Sequence, residues 1–198
     1  MRKLPSELEN PIDNLIHKGL HPTTTFLKKF NMTPNGITTL SLVFGLLAIV
    51  CLILGKVWLM AIFYFISYFF DCCDGFYARR YNMCSAGGDM YDHIKDVTVF
   101  GLLLTVFFFR NYKKLSRKQL VIVIGILVFF TVMMGVQMCA QETYHGKAQD
   151  SPFLNVFNFI TDKEQAERVM RVTRYFGCGS FNLALLLVIL VVEVSLKQ

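Results

Sequence analysis

The chain has 198 residues, of which 54% are hydrophobic and only 17% are Asp, Glu, Lys or Arg, and its mean hydropathy is +0.47. Soluble domains carry about 25% charged residues, so this composition excludes an ordinary soluble fold and predicts an all-α integral membrane protein. A net charge of +6 on such a chain suits anionic lipid headgroups, with no nucleic-acid partner expected. The six cysteines lack C-x-x-C spacing and predict neither a zinc site nor a disulfide framework.

Residues 1–32 read as a polar arm without the continuous apolar centre of a signal peptide. From Asn10 to Phe30 it mixes Ile12, Leu15, Ile16, Leu20, Phe26 and Leu27 with Lys18, Lys28 and Lys29, which predicts an amphipathic helix lying in the membrane interface and interrupted at Pro22. Residues 33–198 are expected to form one membrane-embedded domain.

The first span runs from about Gly36 to Leu54, a length that at ~1.5 Å per residue nearly matches a hydrocarbon core of ~30 Å. Gly55 and Lys56 then turn the chain. A second apolar run, Val57 to Phe70, stops at Asp71, and a third, Val97 to Phe109, follows Asp96. Both are short, so the acidic segment between them is expected at the ends of two helices. Further spans are predicted at about Gln119 to Cys139 and Cys178 to Val192. The intervening Gln141 to Tyr175 is too polar to cross, although Pro152 to Ile160 could lie in the interface or re-enter the bilayer, giving a bundle of five to six transmembrane helices. With the N-terminus inside, thirteen Lys and Arg fall on the cytoplasmic side and seven opposite, which favours that orientation despite the basic loop from Arg110 to Lys118 on the other face.

The segment from Asp71 to Asp96 carries the chemistry. On a helix, Asp71, Asp74, Gly75, Ala78 and Arg79 share one face, and Gly88, Asp92 and Asp96 share a face of the next. Four carboxylates turned toward one another at the membrane need compensation, and an all-oxygen donor set favours Mg²⁺ or Mn²⁺ over zinc. The small residues leave room for a substrate, and Arg79 offers a fork of donors suited to phosphate.

The pattern D-x-x-D-G-x-x-A-R-x(8)-G-x-x-x-D-x-x-x-D is filled at every fixed position and resembles the signature of the CDP-alcohol phosphotransferase (CDP-alcohol phosphatidyltransferase) family. The upstream TPNGIT, Thr33 to Thr38, is similar to that family's P-N-x-x-T element. This resemblance implies a membrane enzyme of phospholipid biosynthesis that transfers the phospho-alcohol unit of a CDP-alcohol to a hydroxyl and releases CMP. By position, Asp71, Asp74 and Asp92 would hold the metal, and Asp96 would be the general base that also touches metal. Asn35, Thr38, Asp71, Gly75, Ala78 and Arg79 would line the nucleotide site, and Gly88 would allow helices to pack closely. Arg171 and Arg174 are candidates for an anionic acceptor, or else a pair facing headgroups. The implied partners are CDP-alcohol and lipid substrates, membrane lipids and a second copy in a homodimer. The implied location is the endoplasmic reticulum of a eukaryote or the cytoplasmic membrane of a bacterium, with the site facing the cytoplasm.

The substrate hints diverge. Gly88 to His93 is similar to the G-E-L-F-D-H run of choline and ethanolamine phosphotransferases, but Phe76 and Tyr77 stand where those enzymes usually carry Lys and Gln. Chain size is nearer the compact phosphatidyltransferases that join CDP-diacylglycerol to a small polar alcohol such as inositol, while Ala78 to Asn82 is similar to phosphatidylinositol synthases and to the choline enzymes alike. A divalent-cation transporter or a non-catalytic scaffold would have no need of Gly75, Ala78 and Arg79 at these spacings. Outside the motif, Asp89 reads as an outer acid or a helix-end charge, His93 as a local hydrogen-bonding residue, and Arg80 as a contact to lipid phosphate or solvent.

Overall fold

The computed structural model describes residues 3–146 and 160–196, so most of Pro152 to Ile160 lies outside the described residues. Seven α-helices and no strand occur among them: α1 (Pro11–Lys29), α2 (Pro34–Ile53), α3 (Val57–Arg80), α4 (Ala86–Asn111), α5 (Arg117–Tyr144), α6 (Lys163–Thr173) and α7 (Cys178–Ser195). A 3-10 turn, Arg174–Phe176, precedes α7. Four helical runs are long and apolar enough to cross a bilayer, namely Pro34–Ile53, Val57–Arg80, Arg117–Tyr144 and Lys163–Ser195, and the chain is a multi-pass membrane protein. At 26 residues α4 is as long as these, but Asp89, Asp92, Lys95 and Asp96 in its first half interrupt its apolar stretch.

The short second run does not stop at Asp71. It continues as one helix to Arg80, so Asp71 and Asp74 are carried in the last three turns of α3. The third run is the C-terminal half of α4. Local signals set these ends. Thr33 caps α2 by accepting from Gly36 N at 3.1 Å, with Pro34 as the first helical residue, and Ser85 caps α4 by accepting from Gly88 N at 3.1 Å. Gly55, at φ 71°, makes the turn from α2 to α3, where a side chain would be strained. Pro22 does not interrupt α1, which is continuous through it. Pro22 and Lys18, whose carbonyl loses its donor there, lie on the exposed side, where solvent can satisfy it.

The chain divides into two compact units. One comprises Ile16–Leu120 with the stretch from Leu186, the other Lys3–Leu15 with Val121–Leu185. In the first, α2 is the helix against which both α3 and α4 pack. Its buried face presents Thr38, Ser41, Gly45 and Ala48 at i, i+3, i+7 and i+10, a stripe of small side chains that lets backbones approach in a membrane. Reciprocal bonds close α2 on α3: Ser41 Oγ donates to the Ser67 carbonyl at 2.9 Å and Ser67 Oγ to the Ser41 carbonyl at 2.8 Å. At the far end of α4, Arg110 Nη1 donates to the Ile53 carbonyl at 2.7 Å, its Nε pairs with Glu193 at 3.2 Å, and Asn111 donates to the same carboxylate at 2.8 Å. Both ends of α4 are therefore held by polar contacts.

In the second unit Leu4, Leu8, Cys139, Ala140, Ile160, Ala166 and Met170 form one apolar cluster. The helix α6 belongs to the segment that sequence reading treated only as too polar to cross. Ala166, Val169, Met170 and Thr173 give it a buried edge, and Asp162 caps it by accepting from Gln165 N at 2.7 Å. Asn10 Nδ2 donates to the Arg174 carbonyl at 2.6 Å and to Ser180 Oγ at 2.8 Å.

Gly45 is the tightest point of the first unit. A Cβ there would lie 2.9 Å from both methyls of Val99 on α4 and 3.2 Å from Ser67 Oγ on α3. Gly45→Ala is expected to cost about 1–3 kcal/mol of stability in detergent, with Val99→Ala in the same chain restoring part of the loss. Thermal unfolding checks this, and an unchanged midpoint for Gly45→Ala would contradict the packing.

Candidate metal and phosphate site

The acidic site lies in the first unit and is built from three helices. Asp71 and Asp74 project from α3, Asp92 and Asp96 from α4, and α2 supplies Thr38 and Ser41. Asp71, Asp74 and Asp92 each offer a carboxylate oxygen, and these atoms lie within 4.8 Å of one another. Asp74 is buried, and its Oδ2 accepts from Thr38 Oγ1 at 2.6 Å. Thr39 Oγ1 and the Tyr91 hydroxyl, 3.0 Å apart, join α2 to α4 beside Asp92.

The residue that sequence reading missed is Lys95. Counted from sequence only as one of the thirteen Lys and Arg on the cytoplasmic side, Lys95 is 3% exposed, with its ammonium among the carboxylates. Nζ pairs with Asp71 Oδ1, lies 2.6 Å from Asp96 Oδ1 and 3.1 Å from Asp92 Oδ1, and donates to Ser41 Oγ at 3.4 Å. One signal was available: Lys95 stands at i+3 from Asp92, within reach on one helix face. That it also meets Asp71 depends on how α4 docks, which helical spacing does not contain.

The arrangement suits a divalent cation. Asp92 Oδ1 is buried and, although close to the ammonium, has no hydrogen-bond partner among the described residues. A carboxylate oxygen of each of Asp71, Asp74 and Asp92 lies within 4.8 Å of the others, a cluster of acidic oxygens that a cation could compensate. Asp71, Asp74 and Asp92 could therefore hold a metal. Asp96 joins the group through Lys95 and remains exposed, with 52% of its side chain accessible.

The other predicted residues fall around this centre. The guanidinium of Arg79 folds back over Gly75, where a Cβ would come within 3.1 Å of its Nη1. Gly88 faces Asn35, whose Oδ1 would be 3.1 Å from a Cβ at that position, so the starts of α2 and α4 approach closely. Ala78 is partly exposed on α3. Arg80, read from sequence as a lipid or solvent contact, instead donates to the His21 carbonyl at 2.9 Å and to Thr24 and Thr25 Oγ1 at 2.8 and 2.9 Å, tying the end of α3 to α1. Arg171 and Arg174 belong to the second unit, where they line a cavity of about 310 Å³ with Glu7 and Leu8. Arg171 pairs with Glu167 at 2.9 Å, and Arg174 donates to the Glu7 carbonyl and to the Tyr175 hydroxyl.

Thr38→Val removes the hydroxyl that orients Asp74 while keeping the side-chain shape. It is expected to weaken Mn²⁺ binding about 10- to 100-fold, measured by titrating purified protein with the ion; unchanged affinity would contradict this role for Thr38.

Residues 31–194 match the family model described as CDP-alcohol phosphatidyltransferase. No curated protein and no solved structure matches the chain.

Proposed function

Because the chain belongs to the CDP-alcohol phosphatidyltransferase family, whose members transfer a phospho-alcohol unit in phospholipid synthesis, we propose that it joins CDP-diacylglycerol to a small polar alcohol, inositol-like in character, with release of CMP. The observation that carries this reading is the convergence of Asp71, Asp74 and Asp92 from two helices beside the Gly75 and Arg79 pair. A CDP-linked lipid brings a diphosphate to such a site, and its chemistry matches carboxylates that bind Mg²⁺ or Mn²⁺ next to a guanidinium.

In this reading Asp71, Asp74 and Asp92 hold the metal, with Thr38 orienting Asp74. The bound cation supplies charge neutralisation at the diphosphate and its leaving group. Arg79 donates to the diphosphate oxygens, and the absence of a side chain at Gly75 gives its guanidinium room to lie along α3. Asp96 is accessible, so an acceptor hydroxyl can reach it. It takes the hydroxyl proton as the acceptor oxygen bonds to the phosphorus bearing the lipid, and the bond from that phosphorus to the CMP oxygen breaks. Asn35 and Ala78 border the nucleotide. Arg171 and Arg174, which line a small cavity within the second unit, are proposed to meet a headgroup phosphate. The cation bias of the sequence supports a cytoplasmic orientation of the site, and the enzyme acts in the membrane that makes its phospholipids, as a homodimer.

The test incubates membranes containing the protein with Mg²⁺ or Mn²⁺ and CDP-diacylglycerol plus inositol, glycerol 3-phosphate or serine, and in parallel with CDP-choline plus diacylglycerol, following CMP. The expected result is CMP release with CDP-diacylglycerol and one of the polar alcohols, abolished by chelation. Release only with CDP-choline would move the assignment to the aminoalcohol transferases, and release from no pair would overturn the enzymatic reading. Asp96→Asn is expected to lower turnover by roughly 10²- to 10⁴-fold while metal-dependent CDP binding persists; equal loss of both would make Asp96 a ligand rather than the base.

A further inference from the structure

Within the second unit, Glu7 and Leu8 of the N-terminal arm border a cavity of about 310 Å³ together with Arg171 and Arg174. Ligand pockets begin at about 300 Å³, so this one has room for a polar headgroup and not for a whole lipid. The helix α6 exposes Lys163, Glu164, Arg168 and Arg171, and the apolar α7 begins at Cys178, just past the turn that holds Arg174. A polar helix leading directly into a span lies at the level of the headgroups. Beside the arginines, Val172 and Tyr175 are exposed, and a tyrosine is at home in that layer.

The arm is fixed at the cavity by bonds from three residues. Arg174 Nη1 donates to the Glu7 carbonyl, Asn10 Nδ2 to the Arg174 carbonyl at 2.6 Å, and Gln137 Nε2 to the Leu8 carbonyl at 3.3 Å. The Arg174 guanidinium also lies 4.7 Å from the centre of the Tyr175 ring, and its Nη2 donates to the Tyr175 hydroxyl at 2.7 Å. Each Nη carries a second hydrogen that these bonds do not use. Arg171 donates from Nη2 to Glu167 at 2.9 Å, yet its side chain is 66% exposed. Two such forks suit a phosphodiester. Glu7 adds the opposite requirement. It is exposed, and its carboxylate is near enough to Arg171 for the two charges to interact. A purely anionic headgroup would bring like charge to that carboxylate, whereas a headgroup with an ammonium beside its phosphate complements both signs.

We propose that this cavity binds the headgroup of a zwitterionic phospholipid with a primary ammonium, the phosphodiester on Arg171 and Arg174 and the ammonium on Glu7. This rests on the headgroup reading of the arginine pair given above and deepens it by naming the lipid class. A trimethylated ammonium has no hydrogen to donate to Glu7, and Tyr175, the aromatic ring at hand, is already covered on one face by Arg174. The acyl chains stay in the bilayer. Binding joins the arm to α6 and stabilises the second unit.

The test is lipid retention by the purified full-length protein, delipidated in neutral detergent and offered phosphatidylethanolamine, phosphatidylcholine and phosphatidylglycerol in equal amounts. Bound lipid is counted by native mass spectrometry, and thermal unfolding is followed in parallel. Wild type is expected to hold phosphatidylethanolamine roughly tenfold more tightly than either competitor and to unfold at a higher temperature with it. Glu7→Gln, which keeps the backbone carbonyl that Arg174 engages, should erase the preference over phosphatidylglycerol; an unchanged preference would overturn the inference. Arg174→Gln should weaken retention of all three lipids, and unchanged retention would place the lipid elsewhere and overturn it too. Soluble glycerophosphoethanolamine should raise the unfolding midpoint only at far higher concentration, and equal potency would overturn the assignment to a bilayer lipid. Phosphatidylglycerol held as tightly as phosphatidylethanolamine by wild type would overturn the ammonium contact while leaving the arginine pair a headgroup site, and retention of no lipid would overturn both. The enzymatic reading stands or falls on CMP release, which none of these outcomes touches. If Arg174→Gln does not fold, the wild-type preference and Glu7→Gln decide the question.

Discussion

Negative charge gathered between membrane helices has to be neutralised where it sits, and in this protein Lys95 does so from within. Its ammonium contacts carboxylates on both α3 and α4 and a hydroxyl on α2. Without it Asp71, Asp92 and Asp96 would face one another with their like charges uncompensated. The same contacts set the relative height of the three helices. They therefore fix where Asp74 meets Thr38 and where Asp92 is left with an oxygen to offer.

Such an arrangement requires a close approach of backbones, and α2 provides it. Thr38, Ser41, Gly45 and Ala48 form its buried face; the first two bond to groups of α3 and the third makes room for Val99 of α4. At the other end of α4, Arg110 and Asn111 engage Glu193 and the Ile53 carbonyl. Polar anchors at both ends and small apolar packing between them hold the first half of α4 rigidly enough to carry reactive groups. Rigid support of this kind is what a transfer reaction needs, since the acceptor oxygen, the phosphorus and the base must meet in a narrow range of distances.

Much of this was legible in the sequence. The spacings of Asp71 with Asp74 and of Asp92 with Asp96 put each pair on one helical face, and the shortened apolar runs on either side located the acidic segment at helix ends. The apolar runs alone left open whether the helices stop at that segment, but the helical spacing of its aspartates and glycines placed it on two helices, and α3 and α4 do continue through it. Lys95 entered the sequence reading only as one of the cytoplasmic-side cations, and Arg80 as a contact to lipid phosphate or solvent. Each instead turns onto a neighbouring helix, Lys95 into the carboxylates and Arg80 onto the His21 carbonyl and the threonines of α1. Only tertiary packing decides such a choice. The helix α6 had a local signal, the apolar Ala166, Val169 and Met170 at i, i+3 and i+4, masked by the charges around it. Pro22 shows the converse: a strong local breaker is tolerated where the carbonyl it orphans faces outward.

The central claim is that the carboxylates of α3 and α4 form a metal-dependent site for the diphosphate of a CDP-linked lipid. The most direct measurement is anomalous diffraction from crystals of the protein grown with Mn²⁺ and CDP. The account predicts an anomalous peak bonded to Asp71, Asp74 and Asp92 and in contact with the diphosphate. Manganese elsewhere, or CDP bound away from these aspartates, would contradict it.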